Sequence, residues 1–383
     1  MSELAREPKS VISSLLERRR VIVVVGAGGV GKTTLSAALG VAAARRGRRA
    51  LVLTVDPARR LANALGLRTI DEHVQTLSAE QLQSAGCPAR VALDVAMLDV
   101  KSTFDRAVRR YASSPERAEA IMANAFYQTA STALAGSQEY MAMVRLYEVV
   151  TEGDYDVVIL DTPPSAHALD FLDAPRRMIE LFDSRSFRLL LRPFSTGGAV
   201  AQGLFSANSL VMRGIGRFTS VEAFHELLGF FASFSETFDG FVERARDVMA
   251  LLRGPSASFV LVSATDEASR DEGLFLDARL RDEQMEAAVW VTNRVTTMSA
   301  DCGHDAEALA AALRPSVGAD AAAIAQAATA MAALAERDRA FLDGLARRLP
   351  AGVSLLQIPR QADEPADLGE LQRLATVLLG EST

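Results

Sequence analysis

Lys32 and Thr33 are the residues whose type and place specify chemistry most sharply. They close the run VIVVVGAGGVGKTT, residues 21–34. Gly26, Gly31, Lys32 and Thr33 fit G-x-x-x-x-G-K-S/T, a loop that holds phosphate. Glycine lets the backbone curl until successive N–H groups point at phosphate oxygens. Gly28, Gly29, Val30, Gly31, Thr33 and Thr34 supply that backbone here. Lys32 adds a mobile point charge for the β- and γ-phosphates, and the Thr33 hydroxyl suits Mg²⁺. Lysine is scarce in this chain, with only Lys9, Lys32 and Lys101, yet one falls in the loop. The competing reading is a chance glycine-rich turn. Strand, loop and helix occur in the order the motif needs, which argues against chance.

Two carboxylates complete the pattern. Asp56 and Asp161 each follow an apolar run that reads as a strand. Strand C-terminal ends of a parallel sheet converge on one edge, where ligands bind. Asp161, after VVIL, fits the Mg²⁺ partner of such NTPases. Asp56 then becomes the catalytic candidate that orients or deprotonates the attacking water, alongside Lys32. Each also suits a helix N-cap, and Asp56-Pro57 resembles an N-cap followed by Pro at the first helical position.

These residues need a scaffold. Val21–Val25 reads as a buried strand and Thr34–Arg46 as the helix whose positive end faces the loop. Further strands are expected at Ala50–Val55, 91–98, Asp156–Leu160, Phe259–Val262, Ala288–Thr292 and Val353–Ile358. Helices are expected at 4–18, from Arg59 to Leu65, over most of 101–151, within 175–253, over 304–348 with a break at Pro315, and from Asp367. Strands separated by helices specify an α/β fold, a mostly parallel sheet of P-loop NTPase type. The expected organisation is one ATPase domain over 1–383, with 101–151 and 175–253 forming an inserted helical subdomain.

Composition narrows the classes. The 383 residues allow a large core. A net charge of −7 disfavours general polyanion binding, so no nucleic-acid partner is expected. The N-terminus lacks an apolar h-region, so no secretory signal is expected. Cys87 and Cys302 stand too far apart in sequence to suggest a disulfide framework or C-x-x-C clasp. Cys302-Gly303-His304 is too sparse for a metal site. A cytoplasmic location is expected.

GAGGVGKTT, TVDPARRLANALG and LDTPPSAHALDFLDAP together resemble the ArsA-type ATPase family. That family includes arsenite-pump ATPases and cytosolic ATPases that target tail-anchored membrane proteins. Its loop reads GKGGVGKT, its first switch DPA, its second DTAPTGHTLR. The resemblance implies ATP and Mg²⁺ as cofactors. It places Asp56 in the switch that holds water and Asp161 at the start of the second switch, and matches His167 to that switch's histidine. It puts the adenine beside Asn293 and the loop around Pro359. The run Asn293-Arg294-Val295-Thr296 lacks the Asp of N-K-x-D, so guanine is disfavoured and ATP expected.

The departures are specific. Ala27 stands where the family has a signature lysine that reaches across a dimer to the partner's phosphates. Slow hydrolysis is therefore expected, with Arg59 or Arg60 as partial substitutes. Pro163 and Ala166 should stiffen the second switch. The partner is expected to be a second copy or a paralogous ATPase that carries the lysine. Eleven of the 17 Phe lie in 182–241, and 193–212 has no charge. Polar residues and glycines within that run argue against a membrane span. The region is expected to be either plain helical core or a surface for a hydrophobic protein client. The alternatives are a regulatory ATP-binding subunit, a partition ATPase and an arsenite-pump subunit. The missing basic C-terminal helix disfavours the partition ATPase, and the thiol count disfavours the pump subunit.

Overall fold

The computed structural model describes residues 8–55, 60–70, 73–125, 127–128, 131, 137–163, 168–183, 237–298, 305–361 and 367–381. The strands are β1 (Val21–Gly26), β2 (Ala50–Thr54), β3 (Gln75–Thr76), β4 (Leu93–Met97), β5 (Val157–Asp161), β6 (Ala257–Ser263), β7 (Ala287–Val295) and β8 (Ser354–Pro359). They form an eight-stranded sheet in the order β3-β4-β2-β5-β1-β6-β7-β8. Every pairing is parallel except the short β3 against β4. This is the α/β, P-loop NTPase arrangement expected from the alternation of strands and helices.

β1 shows why both faces are covered. Its side chains alternate with the two-residue period of a strand. Ile22 and Val24 join one core, whereas Val21, Val23 and Val25 join the core of the opposite face. The first core includes Leu35, Leu39 and Ala42 of Lys32–Arg45, with Leu371 and Leu378 of Leu368–Leu379. Gly40 lets the Lys32–Arg45 helix lie flat there: a Cβ would sit 2.6 Å from a Val52 methyl.

A third core lies away from the sheet. Phe104, Val108, Ile121, Tyr140 and Val144 meet Ala174, Phe238 and Phe241. The contributing helices are Val100–Tyr111, Pro115–Ala123, Ser137–Glu152, Ala168–Asp183 and Phe238–Arg253. Phe241 is fully buried, and the Tyr140 hydroxyl donates to its carbonyl across 2.7 Å. Phe238 and Phe241 are therefore core residues, not client surface. Phe230, Phe231, Phe234 and the uncharged 193–212 lie outside the described residues.

Several boundaries differ from expectation. β4 starts at Leu93 and β7 extends to Val295, while the leading helix covers Pro8–Arg18 of the described residues, as expected there. β3 and the helix Ala79–Ser84 had no sequence expectation; a Ser78–Gln81 capping box starts that helix. Pro315 does not break the 304–348 region. Helix Ala306–Val317 runs through it, and the break falls at Gly318, whose φ of 63° ends the helix. Proline near a helix's last turn disturbs few hydrogen bonds, whereas a left-handed glycine redirects the chain. Helix Ala321–Ala346 then returns against Ala306–Val317. Among the described residues one run, Ala306–Ala346, is long and apolar enough by composition to cross a membrane. The reversal at Gly318–Asp320 makes it a hairpin of two helices.

Candidate functional site

The loop after β1 is shaped by two glycines. Gly26 has φ 155°, and a Cβ there would lie 2.1 Å from the Val262 carbonyl oxygen. Gly31 has φ 98°, and a Cβ there would lie 2.3 Å from Asn293 Nδ2. No other residue type fits either place without displacing a neighbour. Gly28, Gly29 and Val30 form the turn between them, and the helix begins at Lys32. Thr33 and Thr34 occupy its first turn, where unpaired N–H groups and the helix dipole favour an anion.

Lys32 is 6% exposed despite its charge. Its Nζ donates to the Gly26 and Ala27 carbonyls, each at 2.9 Å. The ammonium is thereby folded over the loop it belongs to. Ala27 is buried and packs with the first core.

Asp161 ends β5 and is fully buried. Register places it beside Val24 of β1 on one side and Thr54 of β2 on the other. Thr54 Oγ1 donates to Asp161 Oδ2 at 2.9 Å, and Ser36 Oγ approaches Oδ1 at 3.4 Å. Ser36 lies one helical turn after Thr33, so the two hydroxyls share a face. The Asp161 carboxylate therefore faces the side of the helix that carries Thr33. Hard oxygen donors, a carboxylate and a hydroxyl beside a phosphate loop, are the set Mg²⁺ takes in nucleotide sites. The residues present fit that ion. Next in the chain, the Thr162 hydroxyl donates to the Val24 carbonyl at 2.7 Å and anchors the segment that leaves β5.

Asn293 also reaches the loop. Its Nδ2 donates to the Val30 carbonyl at 2.8 Å, and its Oδ1 accepts the Arg294 N–H at 2.9 Å. These two bonds use one N–H of Nδ2 and one lone pair of Oδ1, and the amide has a second of each to offer a base. Pro359 ends β8 beside Val295, so the two expected base-side residues end neighbouring strands. Asp56, Arg59, His167, Cys302 and His304 lie outside the described residues. Val55, directly before Asp56, donates its N–H to the Asp161 carbonyl and accepts from Gln138 Nε2, each at 3.2 Å.

Ser36, Thr54 and Gln138 are site neighbours that sequence reading did not single out. Ser36 carried a signal, since it stands three residues after Thr33 in a helix. Gln138 is 83 residues from the carbonyl it contacts, so only the fold joins them.

The comparisons agree with this architecture. The profile of a family described as Anion-transporting ATPase matches residues 19–310. Among relatives, the chain is 29% identical over 185 residues to ATPase GET3 of Malassezia globosa, covering 46% of this chain and 51% of that protein. It is 28% identical over 179 residues to ATPase ASNA1 homolog 1 of Paramecium tetraurelia, covering 46% and 50%. It is 27% identical over 166 residues to an Aquifex aeolicus protein named for driving an arsenical pump, covering 42% and 39%. The chain thus spans about half or less of the length of these relatives. The family profile covers well over half of the chain and includes the phosphate loop, Asp161 and Asn293. This chain belongs to the anion-transporting ATPase family.

Proposed function

We propose that this chain binds Mg-ATP and hydrolyses it slowly, using nucleotide state to act on a protein partner or client. The observation that carries the reading is the meeting of Lys32 and Asp161 at one sheet edge. A buried ammonium lies over the Gly26–Gly31 loop, and a buried carboxylate stands at the end of the adjoining strand. On this reading Lys32 leaves the Gly26 and Ala27 carbonyls for the β- and γ-phosphates. The N–H groups from Gly28 to Thr34 hold the remaining phosphate oxygens. Thr33 and Asp161 would hold Mg²⁺, which neutralises charge on the phosphates. Asp56 would orient the attacking water. Asn293 and Pro359 would border the adenine.

Names of relatives support the coarser part, since ATPase GET3 and ATPase ASNA1 homolog 1 are both named as ATPases. We place the chain in the cytoplasm as a homodimer or as a heterodimer with a paralogous ATPase. Residues 101–151 and 175–253 are proposed as one helical subdomain of the 1–383 domain, supported by the separate Phe104–Phe241 core. The client surface is placed in the remainder of 175–253. A regulatory ATP-binding subunit is the second reading. Ala27 favours it, because a methyl group cannot supply a charge to a partner's phosphates.

Turnover and binding separate these roles. Asp56→Asn should retain Mg-ATP affinity and lose most phosphate release. Equal release by variant and wild type would remove Asp56 from catalysis. Phosphate release below detection in the wild type, with ATP bound, would favour the regulatory reading.

A further inference from the structure

Asp338 is a fully buried carboxylate with no part in the phosphate chemistry above. It projects from helix Ala321–Ala346. Its Oδ2 accepts the Thr296 N–H at 2.9 Å, and its Oδ1 accepts Arg337 Nη2, also at 2.9 Å. Thr296 and Thr265 also favour its charged form. A buried ion with this many donors is a costly arrangement, and removing its partners leaves it uncompensated. Its placement indicates what it holds.

Thr296 directly follows β7, and Thr265 follows β6 by two residues. Asp338 therefore fastens the end of β7 to helix Ala321–Ala346, on the edge that carries the phosphate loop. Three residues before Thr296 stands Asn293, which grips the Val30 carbonyl. Between them, Arg294 has φ 60°, a left-handed conformation that side-chain-bearing residues avoid. Such a conformation persists where its surroundings over-determine it. Here the irregular end of β7 is anchored on one side by Asn293 to Val30. On the other side it is anchored by Thr296 to Asp338, and by the Arg360 N–H to the Val295 carbonyl at 2.9 Å.

We propose that Asp338 is a positioning residue that sets the irregular Asn293–Thr296 end of β7 and so determines how the site discriminates the nucleotide base. The proposal rests on the reading of Asn293 as bordering the base. Asp338 does not touch the nucleotide. It acts through the Thr296 N–H and the end of β7 that this bond holds. A role in folding alone would lower stability and leave base discrimination unchanged.

The test compares a nucleotide with its phosphates alone. Calorimetric titrations of Mg-ATP, Mg-GTP and Mg-tripolyphosphate are run on wild type, Asp338→Asn and Thr265→Val. Asp338→Asn keeps an oxygen for Thr296 but loses the charge. Thr265→Val keeps the carboxylate and removes a hydroxyl that favours its charge, so it decides the matter if the first variant does not fold. The expected result is a fall in ATP affinity of on the order of fivefold to tenfold in Asp338→Asn, the effect of one charge-assisted hydrogen bond. Thr265→Val gives a smaller fall. Tripolyphosphate affinity stays within about twofold in both, so the ATP-to-GTP and ATP-to-tripolyphosphate ratios shrink. Unchanged ratios in the folded variants overturn the positioning role, whether affinities fall together or not at all. A wild type that binds tripolyphosphate as tightly as ATP overturns the base-side reading of Asn293 itself, and the positioning role with it.

Discussion

Thr54 Oγ1 donates to Asp161 Oδ2 at 2.9 Å, joining the last residues of two adjacent strands inside the sheet. The carboxylate is fully buried, so each donor aimed at it offsets part of its desolvation. Thr54→Val preserves shape and removes that donor. The expected loss is about 1–3 kcal/mol of stability, the range for leaving a buried polar group short of a partner. Urea unfolding with unchanged slope measures it. A loss within error would mean that water replaces the hydroxyl. The same variant is expected to need more Mg²⁺ for half-maximal ATP binding, because the carboxylate is no longer held.

Gly31 and Asn293 form a second linked pair. Gly31→Ala places a methyl against Asn293 Nδ2 and imposes a side chain on φ 98°. The expected result is a strong loss of nucleotide binding and about 1–2 kcal/mol or more of destabilisation from the left-handed backbone. Combining it with Asn293→Ala relieves the collision and leaves the backbone term. A double-mutant cycle should show the double variant more stable than the sum of the singles predicts. Strict additivity would mean that the contact carries no energy.

The Asp338 carboxyl is held below its usual range. Burial pushes it up, but the Thr296 N–H, Arg337 and the hydroxyls of Thr296 and Thr265 outweigh that and pull it down. A depressed folded-state value binds fewer protons than the unfolded chain does. The contribution is therefore fully present above the ordinary carboxylate range and is lost as pH falls through the depressed value. Asp338→Asn should be less stable than wild type near pH 7, with the gap narrowing below about pH 4. Chemical denaturation at both pH values checks this. A gap that is constant with pH would exclude the charge as its cause.

Ala27 bears on rate. Its carbonyl accepts Lys32 Nζ, and its methyl is buried. A trans-acting charge in phosphoryl transfer is worth on the order of 10³–10⁵ in rate, by analogy with arginine fingers. The chain alone should therefore turn over slowly, and Ala27→Lys should speed ATP hydrolysis in a protein-concentration-dependent way. Fast wild-type turnover, unaltered by Ala27→Lys, would remove the trans-lysine argument.

The parts of the site written within one strand–loop–helix unit were legible in the sequence. Gly26 to Thr34 announce themselves because the phosphate loop needs those types at adjacent positions. Asp161 was legible because a carboxylate after an apolar run falls at a strand's end. The contacts that fasten these residues are long-range. Asn293 meets a carbonyl 263 positions away, and Thr54 meets a carboxylate 107 away. No local pattern encodes such a partner. Asn293 was singled out for a base; that it also holds the loop's backbone through the Val30 carbonyl was not legible. Asp338 lies in an alanine-rich helix whose pattern gave no hint of a buried ion. Pro315 misled for a different reason: a helix ending within a few residues tolerates proline, and Gly318 supplied the turn.

The central claim is that the Gly26–Thr34 loop, through Lys32, holds the phosphates of Mg-ATP. Calorimetric titration of Mg-ATP into wild type and Lys32→Ala tests it most directly, with circular dichroism to show that both are folded. The account predicts a saturable, Mg²⁺-dependent binding isotherm for the wild type. For the variant it predicts affinity lower by at least about tenfold, since neutral Ala cannot meet phosphate charge. Equal ATP affinity in the two proteins would contradict it.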